Sequence, residues 1–363
     1  MKNRLDMVQE KLASAPFDVL ALIPGPNYFY VSGAPLHASE RMNLLLLPKE
    51  GVPVALAPVL EAPYLRPLGL QVYGWRDEEG PQAALEEMLR DLGVKDATIG
   101  VEFGVMRFGE GQRLREAVPG VRFEAADGFL SGLRSCKDED EIKAIRHAIE
   151  VTERGLQRTI DAMRVGQTER EVAAMLQINL LQEGADSMAF GPLVVSGPRS
   201  AEPHAGPSDR VIQPGDAIII DCGATVNHYS GDITRCVAVE PVPKEIEFIY
   251  DLCLAANEAG RAIAKAGVSG HQIDLASRTV IDEGDFGEFF IHRTGHGLGL
   301  EIHEPPYIVA GNHDPLQIGH LFTVEPGIYL PNFGGVRVED NIVVTADGCE
   351  TLTTFPRELI RIG

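Results

Sequence analysis

The sequence has few of the features that mark secreted or membrane proteins. Its five cysteines are odd in number and widely spaced, and no pair has CxxC spacing. A disulfide framework or a cysteine zinc site is therefore not expected, and a reducing cytoplasm fits this composition. Aliphatic runs such as Leu44–Leu47 are too short to span a bilayer. The N-terminal stretch has no apolar h-region, so we expect no signal peptide.

Basic residues are also scarce. The 32 lysines and arginines are outnumbered by 53 aspartates and glutamates, which gives a net charge of −21. A nucleic-acid-binding surface needs a basic footprint, so we expect no nucleic-acid partner. Solubility is the ordinary explanation of such acidity, and the carboxylates discussed below account for a small part of it.

A length of 363 residues predicts two domains with ample core volume. Short apolar strands alternate with helical segments over the first part of the chain, which predicts an α/β domain at residues 1–131. A break is expected near Gly128–Arg134. A long helix capped by Asp138 should follow it, and the remaining pattern of helices and hairpins predicts an α+β domain at residues 132–363.

One stretch is unusually rich in histidine and glycine. His292, His296 and His303 fall within twelve residues, interleaved with glycines. Glycine permits a positive φ or a close approach to another group, and a neutral imidazole binds metal or relays a proton near pH 7. The stretch alone is only suggestive, and the acids on either side of it decide the interpretation.

Two predicted hairpins each bring a pair of acids together. Asp221 ends an apolar strand and Asp232 opens the return strand. A turn centred near Val226-Asn227 would place the two opposite each other. The same reasoning applies downstream to Glu325 and Glu339, whose midpoint falls in a turn-rich stretch.

Paired carboxylates repel each other and raise each other's pKa, so two such hairpins predict cations between them. Four carboxylates with His296 balance two divalent ions about 3.5–4 Å apart, bridged by water or hydroxide. An oxygen-rich set with one imidazole suits Mn, Co or Zn. Any single acid is as readily explained as a solvated turn residue, but this explanation fails for the five positions together.

The five positions lie in recognisable local sequences: Asp221 in Asp-Cys-Gly, Asp232 in Gly-Asp-Ile-Thr-Arg, His296 in Gly-His-Gly-Leu-Gly, Glu325 in Val-Glu-Pro-Gly and Glu339 in Arg-Val-Glu-Asp-Asn. In order and context they resemble the ligand set of the pita-bread metallopeptidases. Within that family the chain is most similar to the proline-specific branch, prolidase and aminopeptidase P. The resemblance covers nearly the whole chain. It implies a creatinase-like first domain, a pita-bread catalytic domain, two divalent metal ions and a homodimer.

The resemblance also implies how the ligands are shared between the metals. Asp221 would bind one metal through both oxygens, and Asp232 and Glu339 would bridge the pair. His296 and Glu325 would complete the second metal. The nucleophile would be the bridging hydroxide, whose pKa two cations lower.

Further roles follow from the same resemblance. His204 corresponds to a histidine near the scissile bond, His303 to one that stabilises the tetrahedral intermediate, and His292 to one on the proline side of the cleft. Arg337 would pair with a bridging acid. Tyr229 would form a wall near the free amine of the substrate.

The substrate length depends on how the free carboxylate of a dipeptide is recognised, which usually takes a cation. Some prolidases carry an arginine just after the motif's histidine, where this chain has Glu-Pro-Pro-Tyr307 after His303. Arg41, in a polar loop of the first domain, is an alternative cation, and a solvated loop position explains it equally well. Tyr307 with the two prolines before it is expected to form an apolar wall for the substrate's proline. The compact chain and the short spacing of Glu325 and Glu339 favour a dipeptidase over an aminopeptidase P.

The expected activity is therefore hydrolysis of Xaa-Pro dipeptides, with aminopeptidase P as the alternative. A methionine aminopeptidase usually lacks the first domain, and a creatinase-like hydrolase keeps the fold without the metals. A non-enzymatic binding module typically loses ligands, whereas all five are present here.

Overall fold

The computed structural model describes residues 4–363, and the chain forms two compact units, Met1–Arg134 and Ser135–Gly363. The helices of the first unit are α1 Arg4–Leu12, α2 Pro26–Ser32, α3 Ala62–Leu65, α4 Gln82–Asp91, α5 Phe108–Ala117 and α6 Asp127–Arg134, with a 3-10 turn at Arg66–Leu68. Its strands are β1 Val19–Leu22, β2 Leu44–Pro48, β3 Val54–Pro58, β4 Gln71–Trp75, β5 Thr98–Val101 and β6 Arg122–Ala125.

The strands of the first unit form one mixed sheet in the order β4-β3-β2-β1-β5-β6. Every residue of β1, β2 and β3 is buried, as expected for central strands covered on both faces. The sequence predicts this α/β domain and places β6 at the edge, where it lies. It misses β4, and the predicted N-terminal helix begins at Arg4, with residues 1–3 outside the described part.

The predicted break near Gly128–Arg134 agrees with the boundary between the two units, which lies after Arg134, and the stretch itself forms helix α6. Leu130 and Leu133 are buried, and their spacing of three residues gives a short helix an apolar face. The burial of these leucines outweighs the low helix propensity of the two glycines in the segment.

The helices of the second unit are α7 Glu139–Ala162, α8 Glu169–Gln182, α9 Lys244–Ile263 and α10 Gly270–Glu283, with 3-10 turns at Gly197–Ala201 and Gly287–Phe289. Its strands are β7 Ser187–Met188, β8 Leu193–Ser196, β9 Ala217–Cys222, β10 Ala224–Val226, β11 Tyr229–Ser230, β12 Ile233–Val239, β13 Gly295–Gly297, β14 Glu304–Ile308, β15 Leu321–Val324, β16 Gly327–Leu330, β17 Gly334–Arg337, β18 Asp340–Val344, β19 Cys349–Thr351 and β20 Ile360–Ile362.

Capping side chains fix where the helices of the second unit begin. Asp138 caps α7 and accepts a hydrogen bond from the backbone of Glu141, as the sequence predicts. Thr168 caps α8 and Ser269 caps α10 in the same reciprocal arrangement. These capping boxes satisfy backbone N–H groups that have no partner inside the helix.

The sheets of the second unit have the orders β20-β12-β9-β8, β14-β13-β15-β18-β19, β11-β10-β7 and β16-β17. An apolar core lies between helices α7 and α8 and the β20-β12-β9-β8 sheet and includes Leu156, Leu176, Ile218 and Val237, all fully buried. This is the predicted α+β architecture with hairpins. Within residues 4–363, no helix combines the length and apolar character that a membrane-spanning segment requires.

Candidate active site

The first acidic hairpin is formed by β9 and β12, which pair antiparallel with Asp221 opposite Thr234. The predicted register, with Asp221 opposite Asp232, is wrong by two residues. The turn of the hairpin lies at Asn227-His228, one residue later than predicted, and the φ angles of these two residues are 49° and 72°. Positive φ at both positions is the two-residue turn that matches strand twist, and β-branched Val226 is unsuited to it. A shift of two keeps both acids on one face, as diagonal neighbours.

The second acidic hairpin has the predicted register. β15 pairs with β18, and β16 pairs with β17, in a single continuous alignment. Glu325 and Glu339 fall at the break between the two ladders, so they lie opposite each other. The turn contains Asn332, at a φ of 62°, which is the conformation that asparagine tolerates best among residues with a side chain.

His296 lies at the centre of β13, between β14 and β15. A side chain at Gly295 would collide with the carbonyl oxygen of Thr323, and one at Gly297 would collide with the carbonyl oxygens of β14. Neither glycine has a positive φ. Their role is therefore to let three backbones approach closely, whereas the sequence suggested an approach by the substrate.

The five predicted ligands line one cavity of about 530 Å³. The predicted histidines and the arginine line it as well. The predicted site residues that line the cavity are Asp221, Asp232, His296, Glu325, Glu339, His204, His292, His303 and Arg337. Two hairpins, the histidine strand and a loop after β8 thus bring together side chains that lie up to 135 residues apart in sequence, from His204 to Glu339.

The carboxylates and His296 are close enough to share a cation. Nε2 of His296 lies 3.3 Å from Oε1 of Glu325 and 3.8 Å from Oδ2 of Asp232. Donor atoms of Asp232, His296 and Glu339 all lie within 4.8 Å of one another. Oδ1 of Asp221 and Oδ1 of Asp232 are buried without a hydrogen-bond partner. Buried oxygens without a partner are costly, so this donor set fits divalent metal.

Burial and neighbouring carboxylates favour the protonated forms of Asp232, Glu325 and Glu339 when no cation is present. Burial raises the pKa of Asp232, and so does the neighbouring Glu339. Burial also raises the pKa of Glu339 and brings that of Glu325 to about 7. Burial, then the nearby His303, lowers the pKa of His296 to about 3. The imidazole is therefore neutral at neutral pH, the form that binds metal.

Arg337 was predicted to pair with a bridging acid, and the structure corrects this. Its Nη2 donates to Oδ2 of Asp221 at 2.5 Å and its Nε donates to Oγ1 of Thr234 at 3.1 Å. Thr234 in turn donates to Oε2 of Glu339 at 2.6 Å. Because Thr234 lies opposite Asp221 in the hairpin, the guanidinium of Arg337 can contact both side chains. Its link to a predicted bridging acid is therefore indirect, through a hydroxyl.

His292 is held at both ring nitrogens. Its Nδ1 lies 2.7 Å from the carbonyl oxygen of Arg293, and its Nε2 lies 2.8 Å from the Tyr329 hydroxyl. Tyr329 accepts a hydrogen bond from Nη1 of Arg337 at 2.8 Å, so its own O–H is free to donate to His292. Nδ1 then carries the proton. Burial and the charge of Arg337 lower the pKa of His292 to about 4.

The other two histidines are more open to solvent. The rings of His303 and His296 meet edge to face, with centroids 4.2 Å apart. Burial and the nearby Arg293 lower the pKa of His303. His204 is exposed on the loop that follows β8 and lines the cavity next to Pro203.

Tyr229 is not placed as predicted. It is buried away from the cavity lining, and its hydroxyl donates to Oε1 of Glu141 at 3.0 Å. Its ring packs with Ile145 and Leu298. A large apolar ring with a satisfied hydroxyl is stable in a core, so Tyr229 supports the helix behind the site.

The other two tentative residues also have defined partners. Tyr307 is partly exposed and its ring carries the guanidinium of Arg293, 4.8 Å from the ring centroid. The expected wall of Tyr307 and its prolines does not line the cavity. In the first unit, Arg41 forms a two-pronged ion pair with Asp77 at 2.7 and 2.8 Å and also contacts Glu40.

Six residues of the cavity lining escaped prediction, including Gly191 and Pro203. Phe190, Leu193 and Ile302 supply its apolar lining, and Arg293 supplies a cation. The three apolar residues come from irregular segments or a strand end, where no periodic pattern marks them. Arg293 lies within the histidine-rich stretch, and its place among three histidines is the sequence feature that could have identified it.

Both units match families of known proteins. Residues 143–346 match Metallopeptidase family M24, and residues 4–136 match the Creatinase/Prolidase N-terminal domain. The chain belongs to metallopeptidase family M24. It is thus a peptidase hydrolase, and the family implies divalent metal at a site whose donors fit it.

Similar proteins cover the full length of this M24 chain. An Xaa-Pro dipeptidase of Pyrococcus horikoshii is 33% identical over 361 residues, 99% of each chain. The crystal structure of a prolidase from Thermococcus sibiricus has a TM-score of 0.95 at 35% identity and covers 99% of each chain. An X-Pro aminopeptidase from Thermotoga maritima has a TM-score of 0.87 at 35% identity, covering 98% of this chain and 99% of that one. The predicted fold, an α/β domain followed by a pita-bread domain, is confirmed.

Proposed function

We propose that this M24 peptidase hydrolyses the Xaa-Pro bond of dipeptides. The observation that carries the proposal is the cavity in which five metal-binding side chains and three histidines meet. Full-length similarity to a protein described as an Xaa-Pro dipeptidase supports the substrate class. The apolar lining suits a proline ring, which has no N–H to satisfy.

We further propose that Asp221, Asp232, His296, Glu325 and Glu339 hold two divalent ions. Four carboxylates against one imidazole suit Mn, Co or Zn, and their charge balances two such ions. Bound cations would supply Lewis-acid activation of water and of the scissile carbonyl. Two ions also account for both buried aspartate oxygens that have no partner.

The histidines act on the substrate itself in this proposal. His303 donates a hydrogen bond to the oxygen that becomes negative as the peptide carbonyl is attacked. His204 lies at the scissile bond, and His292 lies on the proline side. The fixed tautomer of His292 presents a neutral ring edge, because Tyr329 and a carbonyl oxygen occupy both nitrogens.

The free carboxylate of a dipeptide needs a cation, and the cavity itself offers one in Arg293. Within residues 4–363 its guanidinium stacks on Tyr307 and forms no ion pair with an acid. Arg41, the earlier candidate, is already paired with Asp77. We therefore propose Arg293 as the primary anchor of the carboxylate, with Arg41 as the alternative.

Aminopeptidase P activity is the second candidate, supported by the likeness to the X-Pro aminopeptidase of Thermotoga maritima. A homodimer in the cytoplasm is proposed as well. The five cysteines are free thiols, which agrees with a reducing compartment.

A substrate panel tests the proposal. The protein is freed of metal, reloaded with Mn, Co or Zn, and given Xaa-Pro dipeptides, Xaa-Pro-Yaa tripeptides and Met-Ala-led peptides. Faster cleavage of dipeptides supports the dipeptidase, and faster cleavage of tripeptides supports the aminopeptidase. Cleavage of Met-Ala peptides alone would refute both.

A further inference from the structure

Glu169 is the first residue of α8, and its side chain is completely buried. Its Oε1 accepts hydrogen bonds from the backbone N–H and the hydroxyl of Ser196, both at 2.8 Å. Its Oε2 accepts from the backbone N–H of Ser208 at 3.0 Å, from the Ser208 hydroxyl at 2.7 Å, and from Nη1 of Arg199. All five partners are donors, and together they satisfy both oxygens of the carboxylate.

Four of these donors, those of Ser196 and Ser208, flank one partly exposed segment, residues 197–207, which we call the His204 segment. Ser196 precedes the segment and Ser208 follows it. Arg199 lies inside it, and its Nη2 donates to the carbonyl oxygen of Gly206 at 2.9 Å. One carboxylate therefore ties the beginning of the segment to its end, and His204 lies between the two tied points at the cavity.

Capping of α8 does not explain Glu169. The helix is already capped by Thr168, whose hydroxyl accepts from the backbone of Glu171 at 3.1 Å. The carboxylate of Glu171 in turn accepts a hydrogen bond from the Thr168 N–H at 2.7 Å. A buried acid that contributes nothing to the cap but receives five hydrogen bonds from elsewhere is there to hold the elements that donate them.

We propose that Glu169 is a positioning residue that holds His204 over the cavity by clasping both ends of the His204 segment. The proposal rests on the proposed function in one respect, the contact of His204 with substrate. The segment has no regular structure after its 3-10 turn at Gly197–Ala201. Ser200 of that turn accepts a hydrogen bond from the backbone N–H of Gly335 at 2.8 Å, and Ala205 packs against the apolar core, so the clasp adds to these anchors by fixing the two ends of the segment. A reacting group displaced by about 1 Å costs on the order of 100-fold in rate.

The clasp is tested by hydrogen–deuterium exchange on the metal-loaded full chain. Glu169→Gln keeps the size of the side chain but turns an N–H₂ group toward donors. We expect faster exchange in residues 197–208 and little change in α9 or α10. Glu171→Gln is the matched control, since it alters the exposed capping box two residues away and should leave the segment protected. Arg199→Met, at a partly exposed position, opens the clasp from the segment side and serves if Glu169→Gln does not fold.

The action through His204 is tested by kinetics on an Xaa-Pro dipeptide. We expect Glu169→Gln to lower kcat by about 10- to 100-fold, with a smaller change in KM. His204→Ala should lower kcat as well, and the double variant should be no slower than His204→Ala alone.

Two results would overturn the proposal: unchanged exchange in the segment, or losses of Glu169→Gln and His204→Ala that multiply in the double variant. A wild-type protein that cleaves no Xaa-Pro peptide would refute the proposed substrate instead. Exchange in the segment would still decide whether the clasp exists.

Discussion

Arg337 and Asp221 form a buried ion pair, with 2.5 Å between Nη2 and Oδ2. The other oxygen of this carboxylate, Oδ1, is buried without a partner. Arg337 thus pairs with one oxygen of the Asp221 carboxylate, and the other oxygen remains available to a cation. Burial lowers the pKa of Arg337, but Tyr329 and the surrounding carboxylates raise it by more, so the guanidinium keeps its charge.

Replacement of Arg337 should therefore destabilise the metal-free protein more than the metal-loaded protein. Arg337→Met leaves the carboxylate of Asp221 without its ion-pair partner, and loss of one partner of a buried pair costs about 3–5 kcal/mol. Bound cations would replace much of the lost positive charge. Denaturant unfolding with a chelator and with Mn measures both states. Arg361→Met, at an exposed pair, is the control and should change little. Equal losses in both states would contradict this account.

Metal affinity should rise with pH as the acids of the site lose their protons, which for Glu325 happens at about pH 7. Burial brings the pKa of Glu325 to about 7 in the metal-free fold, so below that pH a cation must displace its proton. One released proton changes affinity by about tenfold per pH unit. His296, with a pKa of about 3, adds nothing above pH 5. Calorimetry at pH 6 and pH 8, in buffers of different ionisation enthalpy, counts the protons released. Proton release that is larger at pH 8 than at pH 6 would contradict the assignment.

The same pKa fixes the sign of a stability effect. The pKa of Glu325 is raised above that of an unfolded carboxyl group. Its contribution to the stability of the metal-free fold is therefore present at low pH and lost as pH rises through about 7. Glu325→Gln, which cannot ionise, should remove this loss between pH 5 and pH 8. An unchanged pH profile of unfolding in that variant would show that other groups dominate.

Arg293→Gln should weaken the cleavage of dipeptides more than that of tripeptides. The variant removes the cavity's cation for a free carboxylate but keeps a polar side chain of similar reach. A charge-assisted hydrogen bond contributes about 1.5–3 kcal/mol, so KM for an Xaa-Pro dipeptide should rise by about 10- to 100-fold. Steady-state kinetics on matched dipeptide and tripeptide substrates measures the difference. The same loss on both substrates would remove Arg293 from carboxylate recognition.

Arg41→Ala tests the alternative anchor on the same substrates. If Arg41 binds the carboxylate, dipeptide cleavage weakens and tripeptide cleavage is spared. If Arg293 is the anchor, Arg41→Ala has little effect, because its guanidinium already serves Asp77. Equal loss on both substrates would exclude Arg41 from this role.

Gly295→Ala should weaken metal binding although it replaces none of the proposed metal ligands. The added methyl group would collide with the carbonyl oxygen of Thr323, so β13 must move away from β15 and carry His296 with it. We expect lower metal content by elemental analysis and a lower Tm. Gly109→Ala is the control, because a side chain there meets nothing within 4 Å and alanine favours the helix. Full metal content in Gly295→Ala would show that the strand spacing is not required.

The sequence predicts the second hairpin better than the first, and the reason lies in the turns. Glu325 and Glu339 flank a stretch whose prolines and glycines mark a turn, and their register is confirmed. The first turn uses His228 at a positive φ, where glycine is the usual signal, so the pattern gave no clue to its position. Both acids still reach the cavity, because an error of two residues preserves the face of a strand.

Other parts of the cavity could not be predicted because they depend on tertiary packing. Leu193 and Phe190 line it from the beginning of β8 and the segment before it, and nothing local separates them from core residues. The role of Tyr329 depends on Arg337 and His292, which lie on other elements. Tyr229 shows the opposite case, since a motif position that looked functional is occupied by a core residue.

The break at Glu325 and Glu339 divides the second hairpin into an inner ladder and an outer arm. Because one register runs through both, residues can be added to or removed from the arm in equal numbers on its two strands while the carboxylates stay opposed. Residues can be added or removed only beyond Tyr329 and Arg337, because both of these residues contact the site. The stretch between Leu330 and Gly334 is therefore where evolution or a protein engineer can change arm length independently of metal binding.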